Sequence, residues 1–229
     1  TNLFGTLNLL QAGLAQGFAA FVNSGSSSEY GCKDHAPAED ELPEPNSDYA
    51  AAKASATLFC RMLAEKHQAN VVTLRLYSAY GPYEDPRRFL PTLVAHGLHG
   101  RLPPLVNPDV ARDFVHVGDV CEAYLLAASR AGLPPGGVYN VGTGAQTTIR
   151  QAVDAARRLF GLAEEPRWGS MPDRGWDTTV WVADPRKIRA DLGWQARRDF
   201  ATGLEQMAGW FRANADLAER IYQASRRQA

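Results

Sequence analysis

The chain has 229 residues, of which 45% are hydrophobic, and its formal net charge at pH 7 is -1. This composition is typical of one or two soluble globular lobes. The near-neutral charge excludes bulk electrostatic attraction to nucleic acid or an anionic membrane, and no apolar run reaches the length of a membrane span. Cys32, Cys60 and Cys121 are widely spaced and form no C-x-x-C pair. A disulfide framework or a zinc site is therefore disfavoured, and a reducing cytoplasm fits better.

Predicted helices alternate with short apolar strands in the first part of the chain. Leucines at helical spacing predict a helix over residues 2–16, and the apolar run 19–22 predicts a buried strand. An acidic, proline-bearing stretch at 31–48 predicts a loop, and a helix follows over about 48–67. The apolar run 71–77 predicts a second buried strand.

The rest of the chain continues this alternation. The predicted elements are helices near 89–98, 119–131 and 149–159, strands at 138–141 and 180–182, and a terminal amphipathic helix from Phe200. Alternating helices and apolar strands indicate an α/β fold with a doubly wound parallel sheet. Ligands bind such sheets at the carboxyl ends of the strands.

Tyr49 and Lys53 are four residues apart at the start of a predicted helix and therefore share one helical face. An ammonium favours phenolate, so we expect Lys53 to lower the pKa of Tyr49 from about 10 toward neutrality. The preceding strand ends in several serines, among them Ser26. A phenol, an ammonium and a hydroxyl in one site can remove and return a proton on a sugar alcohol, which favours an oxidoreductase. The alternatives are an ordinary exposed helical pair and a polar serine turn.

Seven motifs in a fixed order connect the chain with a known family. They are Asn2-x-x-Gly5-Thr6; Ser26 with Tyr30-Gly31; Pro45-x-x-x-Tyr49-x-x-x-Lys53; Leu74-Arg75-x-x-Ser78-x-Tyr80-Gly81-Pro82; Arg112-Asp113-Phe114-Val115-His116-Val117-x-Asp119-Val120; Tyr139-Asn140-Val141-Gly142; and Asp184-x-x-Lys187-x-x-x-x-Leu192-Gly193-Trp194. Tyr-x-x-x-Lys alone is a weak signal, whereas the ordered set is strong. Over essentially its whole length the chain resembles the extended short-chain dehydrogenase/reductase family, in its nucleotide-sugar epimerase/dehydratase branch.

The resemblance implies roles at the reacting centre. Ser26 takes the place of the family's catalytic Ser or Thr and would hydrogen-bond the reacting sugar oxygen. Tyr49 takes the place of the general acid/base, and Lys53 would bind the nicotinamide ribose. Tyr49, Lys53 and Leu76 are implied to contact the cofactor, which is NAD, with NADP left open.

The resemblance also implies a set of residues that bind a nucleotide-diphosphate sugar. They are Ser26, Ser27, Ser78, Arg112 and Arg174. The two arginines lie where the family holds the diphosphate, a role that suits a bidentate guanidinium. A surface ion pair with Asp113 or Asp109 is the alternative for Arg112. An ordinary surface arginine is the alternative for Arg174, because only its local Arg-Gly context supports the assignment. No metal site is predicted.

Two features depart from the family pattern. Ser27 and Ser28 stand where the dehydratases carry an Asp-Glu pair for acid and base catalysis, so 4,6-dehydration is disfavoured, and Ser78 replaces a frequent Asn. The glycine-rich turn that receives the dinucleotide pyrophosphate is also missing from this sequence. Because the chain starts without methionine and already inside a helix, we expect the first strands and that turn to precede Thr1.

The implied fold is a Rossmann-like doubly wound parallel sheet, here without its glycine-rich start, with a smaller α/β substrate lobe. Residues 1–82 with 114–150 are assigned to the dinucleotide-binding domain, and residues 83–113 with 151–229 to the nucleotide-sugar lobe. Trp181 and Trp194 are predicted to pack that lobe.

The predicted reaction is epimerisation of a nucleotide-activated sugar at C4 through a transient 4-keto intermediate. One alternative is an NADPH-dependent 4-ketosugar reductase of deoxysugar biosynthesis, and another is a non-catalytic module that binds sugar nucleotides. We expect a cytoplasmic homodimer that binds neither nucleic acid nor a membrane.

Overall fold

The computed structural model describes residues 1–171 and 177–226. The helices are α1 Phe4–Gln16, α2 Asp48–His67, α3 Phe89–Leu98, α4 Val117–Ser129, α5 Ile149–Phe160, α6 Arg186–Leu192, α7 Phe200–Ala213 and α8 Ala215–Arg226. The strands are β1 Phe21–Ser26, β2 Val71–Leu76, β3 Ser78–Tyr80, β4 Ala111–Arg112, β5 Phe114–His116, β6 Gly137–Val141 and β7 Thr147–Thr148. A short 3₁₀ helix, Ser27–Tyr30, follows β1 directly.

A parallel sheet in the order β1-β2-β6 lies at the centre of the fold. Its register pairs Ser26 with Leu76 and Leu76 with Val141, so the carboxyl ends of the three strands form one edge. The predicted α/β fold with a parallel sheet is therefore confirmed. All five residues of β6 are buried, as expected for a strand covered on both faces.

Alternate residues of the strands face opposite layers of helices, because successive side chains of a strand point to opposite faces. Val71 packs with Leu10 of α1 and Cys60 of α2. The next residue, Val72, packs instead with Ala123 of α4 and other residues of that layer. Helices thus cover both faces of the sheet, which is the doubly wound arrangement. No helix of the described residues is long and apolar enough to cross a bilayer.

A separate apolar cluster packs helices α3, α5, α7 and α8 together. Its buried members include Leu93 of α3, Val153 of α5, Met207 of α7 and Ile221 of α8. The short antiparallel pair of β4 and β7 lies beside this cluster and places Arg112 opposite Thr147. Many members of this cluster come from the predicted substrate lobe, but helix α6 and Trp194, which were assigned to that lobe, pack against the central sheet instead. The domain boundaries stay a prediction.

Two expectations about the elements were wrong, and one helix was not predicted. The stretch 180–182 forms no strand, because the backbone N–H of Trp181 donates to the side chain of Gln146 at 3.0 Å instead of joining a ladder. Residues from Phe200 onward form two helices separated at Asn214, whose side chain donates to the Trp210 carbonyl. Helix α6 was not predicted, since its seven residues are too few to show a clear helical period.

Candidate active site

The serine cluster at the end of β1 is held by its own hydrogen bonds. Ser26 caps the 3₁₀ helix: its Oγ accepts from the backbone N–H of Ser28 at 3.2 Å and lies 2.8 Å from the Ser28 Oγ. The backbone N–H of Ser26 in turn donates to the Glu29 carboxylate at 2.8 Å. This reciprocal capping box gives the half-buried Ser26 hydroxyl a defined position at the edge of the sheet.

A buried ion pair between Glu29 and Arg75 supports that cluster. Glu29 is fully buried, and its carboxylate accepts from the Arg75 Nε of β2 at 2.9 Å. The Arg75 guanidinium also lies 4.4 Å from the centre of the Tyr30 ring. The Tyr30 hydroxyl donates to Asn140 of β6 at 2.8 Å. Burial raises the pKa of Tyr30 to about 12, although Arg75 opposes the shift. The network ties the end of β1 to β2 and β6.

Helix α2 places Tyr49 and Lys53 beside the same strand. The Lys53 ammonium donates to the Ser24 carbonyl of β1 at 2.8 Å and lies 5.8 Å from the centre of the Tyr49 ring. Partial burial lowers the pKa of Lys53. Tyr49 is 49% exposed, and its hydroxyl makes no hydrogen bond to another described residue. Its phenol is therefore accessible to a ligand at this edge.

Arg112 is connected with the serine cluster through the side chain of Trp181. Its guanidinium donates to Asp177 at 3.1 Å and lies 5.5 Å from the centre of the Trp181 ring. The Trp181 indole N–H then donates to the Ser27 hydroxyl at 3.1 Å. Burial lowers the pKa of Arg112, and Asp177 opposes that shift. Trp181, expected only to pack the lobe, thus connects Arg112 with Ser27.

The structure places Leu76 and Ser78 near the same edge in different ways. Leu76 is the last residue of β2, paired with Ser26 across the sheet. Ser78 begins β3, and its backbone N–H donates to the Asp113 carbonyl at 2.9 Å. Arg174 lies outside the described residues, so its predicted role stays a prediction.

Asp113 joins three distant segments next to these residues. Its fully buried carboxylate accepts from the backbone N–H groups of Thr143 at 2.8 Å, Gly144 at 2.9 Å and Ala183 at 3.0 Å. The Thr143 hydroxyl also donates to it at 2.7 Å. Asp113 therefore has a structural role, and the ion pair that Arg112 forms among the described residues is with Asp177.

Two buried polar side chains were not predicted. Tyr77 is buried beside Ser27 and Trp181, and Glu84 is a buried carboxyl group in the turn that follows β3. The sequence gives only a weak signal for either side chain. Tyr77 is an aromatic residue at the end of a strand and Glu84 is an acid in a charged loop, and neither position indicates burial.

The described part of the site combines a phenol, an ammonium and serine hydroxyls at the carboxyl edge of a parallel sheet. Such a set can move a proton to and from an alcohol oxygen. The family model described as the NAD dependent epimerase/dehydratase family matches residues 1–142. The chain belongs to the NAD-dependent epimerase/dehydratase family.

Individual members of this family are similar to the chain along most of its length. A dTDP-glucose 4,6-dehydratase from Streptomyces antibioticus is 31% identical over 227 residues, covering 93% of this chain and 64% of the relative. The structure of a dTDP-glucose 4,6-dehydratase from Bacillus anthracis in complex with NAD is 26% identical, with a TM-score of 0.85 over 96% of this chain and 70% of that one. A UDP-glucose 4-epimerase with UDP-glucose from Thermotoga maritima is 28% identical, with a TM-score of 0.84 over 94% and 70%. The chain thus spans about two thirds of the length of these family members.

Proposed function

We propose that the protein containing this chain epimerises a nucleotide-activated hexose at C4 through a transient 4-keto intermediate. The observation that carries the proposal is the chemistry next to Ser26. Positions 27 and 28 hold serines, and the nearby acid Glu29 is buried against Arg75. The site therefore has groups that move a hydroxyl proton but lacks the acid and base pair associated with loss of water in the dehydratases.

Tyr49 is assigned the proton transfer. As phenolate, its oxygen would accept the proton of the C4 hydroxyl and later return it, while the Ser26 hydroxyl holds the same sugar oxygen by a hydrogen bond. The Lys53 ammonium, 5.8 Å from the ring centre, would stabilise the phenolate by Coulomb attraction. Lys53 is itself held by the Ser24 carbonyl, which fixes the distance between the strand and the phenol.

NAD would bind beside these residues, and NADP is left open by this part of the sequence. The Lys53 ammonium has three N–H donors and uses one on Ser24, so it can also donate to a ribose hydroxyl. Leu76 lies beside Ser26 at the sheet edge and would pack against the nicotinamide end. When bound, NAD accepts and returns the hydride at C4. These residues fit the nicotinamide end only, since the sequence lacks the glycine-rich turn that receives a pyrophosphate.

The diphosphate of the sugar nucleotide is assigned to Arg112, together with Arg174. Arg112 keeps its positive charge at neutral pH and lies next to Trp181, which in turn contacts Ser27. Holding the substrate mainly by its phosphates, with few hydrogen bonds to the hexose, would let the keto sugar turn over. The hydride would then return to its opposite face.

Replacing Tyr49 by Phe tests the mechanism. The variant loses the proton acceptor and is expected to lose turnover by about 100- to 10,000-fold. The assay is conversion of UDP-glucose or dTDP-glucose to the C4 epimer, in protein expressed with any coding sequence that precedes Thr1. Tyr222→Phe removes a hydroxyl from α8, far from the phenol in the chain, and is the matched control. Near-normal turnover of Tyr49→Phe would overturn the mechanism.

A reductase acting on a 4-keto sugar is the second candidate, because the same Tyr49, Lys53 and Ser26 set serves proton delivery to a carbonyl oxygen. NADPH consumed in proportion to product would favour the reductase. A retained cofactor that is unchanged after turnover would favour the epimerase.

The protein is also proposed to act as a cytoplasmic homodimer. Helix α2 packs on α1 and still exposes several large apolar side chains: Leu58 is 59% exposed, Met62 45% and Phe59 42%. Apolar side chains grouped on one helix are typical of a surface between protein chains. All three cysteines are free, which agrees with a reducing compartment.

A further inference from the structure

A narrow crevice lies between the segment after β1 and the segment 180–182. Ser27 and Tyr30 line one side, Trp181 lines the other, and Tyr77 is also part of its lining. Ser27 directly follows Ser26 in the chain, so the crevice lies next to the group assigned to the reacting sugar oxygen. The proposed mechanism does not use Tyr77.

The Tyr77 hydroxyl is buried without a partner. The residue is 6% exposed, and no described group forms a hydrogen bond with its hydroxyl. A buried hydroxyl without a partner destabilises a protein, so native structures seldom keep one unless water or a ligand satisfies it. Burial raises the pKa of Tyr77, and the phenol therefore stays protonated and able to donate.

Ser27 offers a second donor in the same crevice. Its hydroxyl oxygen accepts from the Trp181 indole, and this is its hydrogen bond among the described residues. An indole N–H can only donate, so the Ser27 proton is free to be donated elsewhere. Two hydroxyl donors in one crevice can bind a single oxygen atom through its two lone pairs.

The charges at the rim of the crevice indicate that this oxygen is neutral. Lys33 and His35 line it, but both are already paired with acids. The Lys33 ammonium contacts Glu44, and the His35 ring contacts Asp34 at 2.7 Å and Glu41 at 3.1 Å. Because these cations are neutralised by their own loop, the lining residues that the structure describes offer no free positive charge for a carboxylate.

We propose that Tyr77 and Ser27 determine sugar specificity by binding one further hydroxyl group of the hexose near C4, either the one on C3 or the one on C6. The inference rests on the proposed function, because it takes the reacting C4 oxygen to lie at Ser26. It assigns the substrate class as a neutral hexose with that hydroxyl in place, rather than a sugar that lacks it or a hexuronic acid.

Tyr77→Phe tests this assignment, because it removes the hydroxyl and keeps the ring. The measurement is the Kd for UDP-glucose, UDP-3-deoxyglucose and UDP-6-deoxyglucose by calorimetry, or for the dTDP forms if the protein prefers them, in protein expressed with any coding sequence that precedes Thr1. We expect the variant to bind the parent sugar about tenfold more weakly, the loss of one hydrogen bond. For the deoxy sugar that lacks the bound hydroxyl, wild type and variant should have equal Kd. The analogue that shows this equality identifies C3 or C6.

Tyr30→Phe is the matched control in the same crevice. Its hydroxyl already donates to Asn140, so this change should lower the melting temperature without altering the preference among the three sugars. Tyr77→Phe should leave the melting temperature unchanged or raise it, since no internal hydrogen bond is lost. Equal weakening for all three sugars, or none, overturns the inference and leaves a water-filled crevice as the explanation. Failure of the wild type to bind any of these sugar nucleotides would instead overturn the proposed function, and this inference with it.

Discussion

At the scale of single residues, burial moves the pKa of one carboxyl group, that of Glu84, close to neutral pH. Burial raises the pKa of Glu84 to about 7, and the nearby Arg88, whose Nε lies 3.2 Å from the carboxylate, opposes the shift. One carboxylate oxygen of Glu84 has no hydrogen-bond partner among the described residues. A half-satisfied buried acid of this kind makes the stability of the fold depend on pH.

Glu84→Gln should remove that dependence. The native carboxyl binds its proton more tightly than the unfolded chain does, so between about pH 4.5 and 7 the folded state holds the extra proton. The free energy of unfolding of the wild type should therefore fall as pH rises through this window, by up to about 3 kcal/mol relative to the variant. Urea denaturation of both proteins at pH 5 and pH 8 measures the difference.

The exposed Glu205→Gln serves as the control for that experiment, because its side chain lies on the surface of α7. It should change little between the two pH values. Parallel stability curves for wild type and Glu84→Gln would show that Glu84 is solvated or fully paired in the folded protein.

Single residues also show which contacts a sequence pattern predicts and which it does not. The spacing of Tyr49 and Lys53 predicted a shared helical face, and in the structure the ammonium lies near the ring. The unpartnered Tyr77 hydroxyl and the half-paired Glu84 carboxylate had no such pattern, because burial is decided by segments far away in the chain. Trp181 was expected only to pack its lobe, because its partner Ser27 is 154 positions away.

At the scale of elements, helix α2 matters most, since it carries Tyr49 and Lys53 in its first turns. Its first turn is stabilised by Ser47, whose hydroxyl accepts from the backbone N–H of Ala50 at 3.2 Å. An N-cap side chain satisfies one of the free amides at a helix start. Loss of this hydrogen bond would therefore make the position of the Tyr49 phenol less defined.

Ser47→Ala should cost about 0.5–2 kcal/mol of stability, the usual range for an N-cap. It should also lower turnover more than the stability loss explains, because Tyr49 lies two residues after the cap. Asp199→Ala is the matched control: Asp199 caps α7 by accepting from Thr202 at 2.8 Å, and its loss should cost similar stability without touching turnover. Thermal denaturation and the epimer assay are measured on both. Equal losses of turnover in Ser47→Ala and Asp199→Ala would show that the α2 cap has no specific effect on catalysis.

Elements with a strong local pattern were predictable. Ser47 and the helix after it, the apolar runs of β1 and β2, and the helix α5 all follow from caps and periodicity. The stretch 180–182 was predicted as a strand because two valines flank Trp181. Its partner in the fold is a side chain, that of Gln146, and no sequence period encodes such a contact.

At the scale of the whole molecule, the layer formed by α1 and α2 leaves apolar surface uncovered. Leu9 of α1 is 68% exposed, and Leu58 and Met62 of α2 are 59% and 45% exposed. Helix α2 also carries Lys53, which is hydrogen-bonded to β1 beside Ser26, so association through α2 would restrict the movement of the site.

Replacing both Leu58 and Met62 by Glu should convert a dimer to a monomer, because two buried like charges in each chain would face each other across the interface. Light scattering after gel filtration measures the mass. Ala201→Glu, which adds a charge to an exposed position of α7, should leave the dimer intact. A wild type that elutes with the mass of one chain would refute the proposed homodimer.

The sequence alone determined the fold class and the family, because local helix and strand periods and ordered motifs are properties of neighbouring residues. It also determined that Tyr49 and Lys53 share a helix face. Only the tertiary structure decided which side chains are buried without partners, which cations are already neutralised, and that Arg112, Trp181 and Ser27 form one connected path. These outcomes depend on contacts between segments that are far apart in the chain, where burial and charge are set jointly by several elements.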